Sequence, residues 1–325
     1  MSHSTEHNSR PEQSATLFIA ASETDSNLYY ATRFIAPDPF IYLEVKGERL
    51  MVMSDLEVDR ARNQATVDRV LSYSELERRA KSQGVKDPGT IDVIHLVLQD
   101  AGLKDILVPP TFPFLHASRL QELGYRLRTK REPFYEQRVM KSDDEVRHIE
   151  AAQRATETAV AAAHQTLRRA EIRDNVLWLD GEMLTSERVK KLINVALMEC
   201  DCVAQHTIVA GGEQACDPHD EGSGPLPAHR SIIFDVFPRS AGTRYFADMS
   251  RTVVRGTPSP ELTRLYHAVK DAQEEAITKI RDGADGAAIH QGICDRFEKA
   301  GYKTGLVNGR MQGYFHGTGH GVGLD

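Results

Sequence analysis

Short apolar runs of β type alternate with helical patterns in the first part of the chain. The runs are rich in β-branched and aromatic residues, and they cover residues 17–20, 40–45, 50–53 and 106–109. A serine followed three residues later by a glutamate, as at Ser54 and Ser74, predicts two helix starts between them. The alternation predicts an α/β domain over residues 15–140, preceded by a disordered tail over residues 1–14.

Longer helical patterns dominate the rest of the chain. A third serine–glutamate pair, at Ser142, opens a helix whose apolar positions keep helical spacing to Leu167. Further helices are predicted to begin at Thr185, at Ser259 with a proline after it, and near residue 287. A strand at 206–209 and a hairpin around Gly242 lie between these helices. Helices, a hairpin and helices again predict an α+β domain over residues 141–325.

Two aspartates occupy apolar β-type runs on the two sides of Gly242. With a turn at residues 241–242, residues that face each other across the hairpin have numbers that sum to 483. This register predicts that Asp235 lies directly opposite Asp248. Like charges so placed destabilise a sheet, and carboxylate oxygens bind hard divalent cations. The pair therefore predicts a metal site. The alternative leaves both carboxylates in solvent, paired with a nearby arginine. The candidates are Arg239, Arg244 and Arg251.

Glycines alternate with other residues at the end of the chain. They stand at 317, 319, 321 and 323, and each costs a helix about 1 kcal/mol, so we expect an extended segment. Its period of two puts His316, Thr318 and His320 on one side. His219 lies among turn residues and is predicted to be on a loop. The remaining histidines of this region are interpreted as structural or surface residues. They are His206, His229, His267 and His290.

Composition narrows the function classes. The net charge is -7, with both signs interspersed along the chain, which argues against a surface that follows nucleic-acid phosphates. The sequence has neither an apolar signal region near Met1 nor 18 consecutive apolar residues. Its four cysteines lack the paired spacing of a zinc site and are predicted to be reduced thiols. These features predict a cytoplasmic protein that acts on small substrates.

The motif that joins these residues resembles that of a known family. It consists of Asp235, the run Asp-Met-Ser-Arg-Thr from Asp248, and the run His-Gly-Thr-Gly-His-Gly-Val-Gly-Leu from His316. This pattern resembles that of the pita-bread metallopeptidases. That family includes Xaa-Pro aminopeptidase, prolidase, methionine aminopeptidase and creatinase. The resemblance implies a creatinase-like α/β domain followed by a pita-bread domain. It also implies hydrolysis of the peptide bond that precedes proline, in peptides with proline at the second position, by a homodimer.

The resemblance also implies roles for single residues. Asp235 would bind one divalent metal, Asp248 would bridge two, and His320 would bind the second. Ser250 is similar to the hydroxyl residue that orients the ligands. His219 resembles the histidine that contacts the substrate, and His316 the one that holds its carbonyl group. Mn²⁺ is the expected ion, with Co²⁺ or Zn²⁺ as alternatives.

The sequence departs from the family pattern in two respects. The family usually separates its two aspartates by 11 positions, whereas here the separation is 13, and the even increment keeps both carboxylates on one face. The family completes its site with two glutamates on later strands, whereas this chain ends at Asp325. We therefore expect an incomplete pita-bread domain that binds metal weakly and hydrolyses little. A non-catalytic binding module, or an inactive fragment, is the alternative to the peptidase.

Overall fold

The computed structural model describes residues 14–325. The chain divides into two compact units, Met1–Met140 and Lys141–Asp325. The predicted tail lies outside the described residues except for Ser14, which already belongs to the first strand.

The first unit is an α/β domain built on one mixed sheet. The strand order is β4-β3-β2-β1-β5-β6, in which β1, β2 and β3 are antiparallel neighbours and the other pairs are parallel. Its elements are β1 (Ser14–Ala20), α1 (Ser26–Thr32), β2 (Phe40–Val45), β3 (Glu48–Met53), α2 (Val58–Gln64), β4 (Arg69–Ser72), α3 (Tyr73–Ser82), α4 (Thr90–Ala101), β5 (Asp105–Val108), α5 (Phe114–Glu122) and β6 (Arg126–Thr129).

Both faces of this sheet are buried, which makes the unit a three-layer structure. Successive residues of a strand point to opposite faces, and in β1 Leu17 packs with α4 while Phe18 packs with α1 and α2. In β2, Leu43 likewise lies on the side of α4, and Tyr42 lies on the side of α1 and α2. Strands buried on both faces read as continuous apolar runs, which is why the sequence identified them.

Two of the predicted helix starts in this unit are wrong. Helix α2 begins at Val58, and Ser54 only accepts backbone hydrogen bonds through its carbonyl group in the turn before it. Helix α3 is capped by Ser72, whose side chain accepts from the Glu75 N–H, whereas Ser74 lies inside the helix. Both serine hydroxyls donate to Asp55. Neighbouring serines at 72 and 74 offer the same local pattern, and tertiary contacts decide between them.

The second unit has α+β architecture. Its elements are α6 (Asp143–Arg169), β7 (Glu171–Arg173), β8 (Val176–Leu179), β9 (Glu182–Met183), α7 (Ser186–Met198), β10 (Cys202–Val203), β11 (Ile208–Gly211), β12 (Ser231–Val236), β13 (Arg239–Ser240), β14 (Met249–Val254), α8 (Pro260–Lys279), α9 (Gly286–Lys299), β15 (Gly305–Val307) and β16 (Arg310–Gln312). The capping box at Ser142 is present, and Thr185 and Ser259 cap α7 and α8 as predicted.

A central sheet of three antiparallel strands, β11-β12-β14, carries the aspartate hairpin. One face of this sheet packs on α6 and α7, where Phe234 and Ile232 of β12 are fully buried. Alternation along β12 then places Asp235 on the opposite face. Strand β11 begins at Ile208, two residues later than predicted, because His206 has a left-handed backbone with φ of 49°. No helix in the described part of the chain is long and apolar enough to cross a membrane.

Candidate metal centre

The aspartate hairpin consists of β12 and β14, and the predicted register is wrong. Asp235 lies opposite Ser250, so partner numbers sum to 485 rather than 483. The turn falls later because the Ser240 N–H donates to the Tyr245 carbonyl at 3.0 Å and closes a four-residue loop. Before that loop Arg239 continues the hairpin by a bridge to Phe246, and Arg239 and Ser240 also form β13 against β10.

The shifted register still leaves both aspartates on one face of the hairpin. A shift of two positions preserves the face because side chains alternate with period two. Asp248 is thus the diagonal neighbour of Asp235, and such residues lie about 7–8 Å apart. The carboxylates remain close to each other: the pKa of Asp248 is raised by burial and then by the negative charge of Asp235.

The partners of the two carboxylates are a hydroxyl group and an imidazole. The Ser250 hydroxyl donates to Oδ1 of Asp235 at 2.6 Å. The predicted orienting residue therefore contacts the first aspartate. His320 Nε2 lies 3.2 Å from Oδ2 of Asp248. Two of the nearby arginines have other partners: Arg251 donates to the Ser250 carbonyl, and Arg239 lies over the Phe246 ring.

The orientation of the His320 ring suits a bound cation. Its Nδ1 lies 3.0 Å from the Gly321 carbonyl, to which it donates. In the neutral ring Nε2 then carries a lone pair, and this lone pair faces the carboxylate oxygen of Asp248. Two acceptors in contact need a proton or a metal ion between them. This contact and the chemistry of the donors, two carboxylates and one imidazole, fit a divalent transition metal.

The donors are nevertheless not fully assembled. Within residues 14–325, no group of three or more His, Cys, Asp or Glu side chains has the geometry of a metal cluster. The pKa of Asp248 is raised chiefly by burial and then by Asp235, while His320 opposes the shift. Asp235, Asp248 and His320 would hold a divalent ion, whose positive charge would offset the repulsion between the two carboxylates.

These side chains line a cavity of about 520 Å³ in the second unit. Its wall combines acidic groups, imidazoles and apolar side chains. The lining residues are His206, Ile208, His219, Glu221, Asp235, Phe237, Phe246, Ala247, Asp248, His320, Gly321, Val322 and Asp325. A mostly apolar pocket with a few convergent polar groups is the usual form of a ligand site.

His219 reaches this cavity because its loop is held tightly against β11. At Gly222, whose φ is +76°, a Cβ atom would lie 1.9 Å from the Val209 carbonyl oxygen. Only glycine permits such an approach. The Val209 N–H donates to the Glu221 carbonyl at 3.1 Å, and the His219 N–H donates to the Asp217 side chain. The predicted loop position of His219 agrees with this arrangement.

His316 and the alternation of its segment differ from the prediction. Residues 316–325, all of them described, form no strand, and the chain bends at His316 and Thr318. The His316 ring contacts Tyr314, and its Nδ1 lies 2.8 Å from the Gly317 carbonyl. His316 is not one of the residues that line the cavity described above. Its catalytic role stays a prediction.

Sequence reasoning missed His206. Its Nδ1 lies 2.9 Å from Glu221 Oε1, and both residues line the cavity. His206 precedes β11, and Glu221 comes from the loop that returns to that strand. No spacing rule joins positions 15 residues apart across such a loop.

Comparison with known proteins places the chain in a family. The sequence of residues 147–325 matches metallopeptidase family M24. The chain belongs to this family. It is 30% identical to an uncharacterized peptidase of Staphylococcus epidermidis over 191 residues, which cover 58% of this chain and 48% of that relative. Xaa-Pro aminopeptidase 1 of Streptomyces coelicolor is 28% identical over 58% of this chain and 39% of its own length.

The solved structures extend the comparison to both units. The Xaa-Pro dipeptidase from Bacillus anthracis superposes with a TM-score of 0.76 at 18% identity, covering 96% of this chain and 78% of that structure. This match confirms the predicted fold, an α/β domain followed by a pita-bread domain. The chain spans about half the length, or less, of the two curated relatives named above.

Proposed function

We propose that this chain carries the peptidase site of an enzyme that hydrolyses the peptide bond preceding proline with the help of divalent metal ions. The observation that carries the proposal is the meeting of Asp235, Asp248 and His320 in one cavity of an M24 chain. The proteins to which the chain is similar include an Xaa-Pro aminopeptidase and an Xaa-Pro dipeptidase, which supports this substrate class.

Each donor has a distinct place in this proposal. Asp248 lies beside both Asp235 and His320, as a ligand shared between two ions would. Carboxylates mixed with imidazole suit Mn²⁺, with Co²⁺ or Zn²⁺ as alternatives. When bound, such ions polarise a carbonyl oxygen and lower the pKa of water. The Ser250 hydroxyl, held on Oδ1 of Asp235, fixes the rotation of that carboxylate.

Other residues of the cavity would bind the substrate. His219, on the loop held by Gly222, faces the cavity and can donate a hydrogen bond to the oxygen of the scissile carbonyl. The apolar side chains of Phe237 and Phe246 provide contact area for a proline ring and displace water from it. We further propose that the enzyme works in the cytoplasm as a homodimer.

One observation favours a second function. The three donors do not form a ligating cluster within the described residues, as in a pita-bread module that binds a partner without catalysis. This module would keep the cavity and bind a proline-containing peptide without cleaving it.

Hydrolysis of matched peptides distinguishes the two functions. The chain is incubated with Mn²⁺ and a tripeptide that has proline at the second position, and with the same tripeptide carrying alanine there. The peptidase releases the first residue from the proline peptide alone, and Asp248→Asn abolishes the release. Binding of the proline peptide without cleavage supports the module, and failure to bind or cleave either peptide refutes both functions.

A further inference from the structure

Thr318 stands between His316 and His320 and is hydrogen-bonded on two sides. Its hydroxyl oxygen lies 2.9 Å from His290 Nδ1, on α9, and 2.9 Å from the Tyr314 hydroxyl. The sequence interpretation treated His290 as a structural or surface residue, and Thr318 only as part of an alternating pattern. The structure joins them.

The directions of these bonds form one continuous chain. The Tyr314 O–H donates to Thr318, and the Thr318 O–H is then free to donate to His290 Nδ1. With Nδ1 as acceptor, the neutral ring carries its proton on Nε2, which points at the Cys294 thiol 3.6 Å away. Every donor in the chain has an acceptor, and such chains polarise and strengthen their members.

The position of Tyr314 is itself held by several contacts. Its ring lies 5.1 Å from that of Phe297, a buried residue of α9. Its backbone N–H donates to the Thr304 hydroxyl, which in turn donates to the Tyr314 carbonyl. Gly313 before it has φ of +90° and passes so near Lys303 that a Cβ would lie 2.5 Å from its carbonyl oxygen. The anchor for Thr318 is therefore rigid.

The segment around Thr318 has few other constraints of its own. Gly319 has no atom within 4 Å of an added Cβ, and the nearest to Gly317 is at 3.8 Å. Glycine has wide backbone freedom, so these residues do not hold the histidines in place. Downstream of His320, the Gly323 carbonyl accepts from the Phe246 N–H at 2.7 Å.

We propose that Thr318 is a positioning residue, which holds the segment 316–323 so that His320 meets Asp248. The proposal rests on the proposed function for its consequence, metal binding, but the anchoring itself can be tested separately. Thr318→Val keeps the shape of the side chain and removes both hydrogen bonds. Thr318→Ser keeps the hydroxyl. Thr278→Val, on the exposed face of α8, loses only a bond within its own helix and serves as the matched control.

The first readout is independent of metal. With glycine labelled by ¹⁵N, Thr318→Val should lower the NMR order parameters of Gly317 and Gly319 from about 0.85 to below about 0.6, whereas Thr318→Ser and the control should leave them unchanged. The second readout is Mn²⁺ affinity. It should fall about tenfold in Thr318→Val, the lower end of the range for groups that support metal ligands, and return in Thr318→Ser.

The two readouts distinguish a failure of the Thr318 anchor from a failure of the proposed metal binding. Unchanged order parameters in Thr318→Val overturn the proposal. A loosened segment with unchanged Mn²⁺ affinity also overturns it, because the anchor would then not serve the site. If the unmodified chain takes up no Mn²⁺ at all, the proposed function fails, and the order parameters alone decide whether Thr318 anchors the segment.

Discussion

Gly222 provides the sharpest test of how the cavity wall is built. Replacing it with alanine puts a methyl group 1.9 Å from the Val209 carbonyl oxygen, whereas ordinary contacts begin at 3.4 Å. Gly224, in the same loop, has a similar φ of +71° but no atom within 4 Å of an added Cβ. Gly224→Ala is therefore a matched control for the strain of a left-handed backbone.

The expected difference in unfolding free energy comes from the cost that only Gly222→Ala carries. Alanine with positive φ costs about 1–2 kcal/mol at either position. In Gly222→Ala the loop must also move away from β11, and this movement breaks the bond from the buried Val209 N–H to the Glu221 carbonyl. A buried donor left without a partner costs about 1–3 kcal/mol. Gly222→Ala should therefore unfold about 1–3 kcal/mol more easily than Gly224→Ala.

Urea unfolding measures this difference. Trp178, in β8, is the only tryptophan of the chain, so its fluorescence reports on the second unit. Gly224→Ala should keep His219 in the cavity wall. Gly222→Ala should displace His219 and therefore bind an Xaa-Pro peptide more weakly. Equal unfolding free energies for the two variants would refute the close approach of the loop to β11.

Two further predictions concern single side chains. Ser250→Ala should weaken Mn²⁺ binding about tenfold because it frees the Asp235 carboxylate, and Ser250→Thr, which keeps the hydroxyl, should restore it in calorimetric titration. The pKa of His164 is lowered by burial and then by the charges of Arg168 and Arg251, so the unfolded state binds more protons and stability falls as pH drops below 6.5. Melting temperatures at pH 8 and pH 5 should therefore differ less in His164→Phe than in the unmodified chain, and an equal difference contradicts the assignment.

The sequence was sufficient to predict the layers of the fold because the buried faces of helices and strands give their apolar residues a regular spacing. Strands such as β2 are apolar on both faces, and α6 keeps helical spacing and begins at a serine with a complete capping box. Local signals failed where two residues offered the same pattern, as with the serines at 72 and 74. There the start of α3 follows from the end of β4, whose last residue, Ser72, pairs with Met53 of β3, a nonlocal contact that no local rule contains.

For the two aspartates, the sequence was sufficient to predict the face of the hairpin but not the register. Asp235 and Asp248 were assigned to one face, and they occupy one face, because a register shift of two residues preserves it. Their exact pairing depends on the loop closed by Ser240 and Tyr245, whose residues fit several turns. The anchor of Thr318 on His290 joins a segment to a helix 28 residues away, and hydrophobic periodicity gives no information about such bonds.

The most direct test is the amount of Mn²⁺ bound to the chain at equilibrium with an excess of the free ion, measured by equilibrium dialysis. The unmodified chain should bind Mn²⁺, and Asp248→Asn should not. Asp180→Asn, at an exposed aspartate outside the cavity, should behave like the unmodified chain. Equal Mn²⁺ content in the unmodified chain and Asp248→Asn, or none in either, would contradict the claim that the hairpin carboxylates and His320 hold a metal ion.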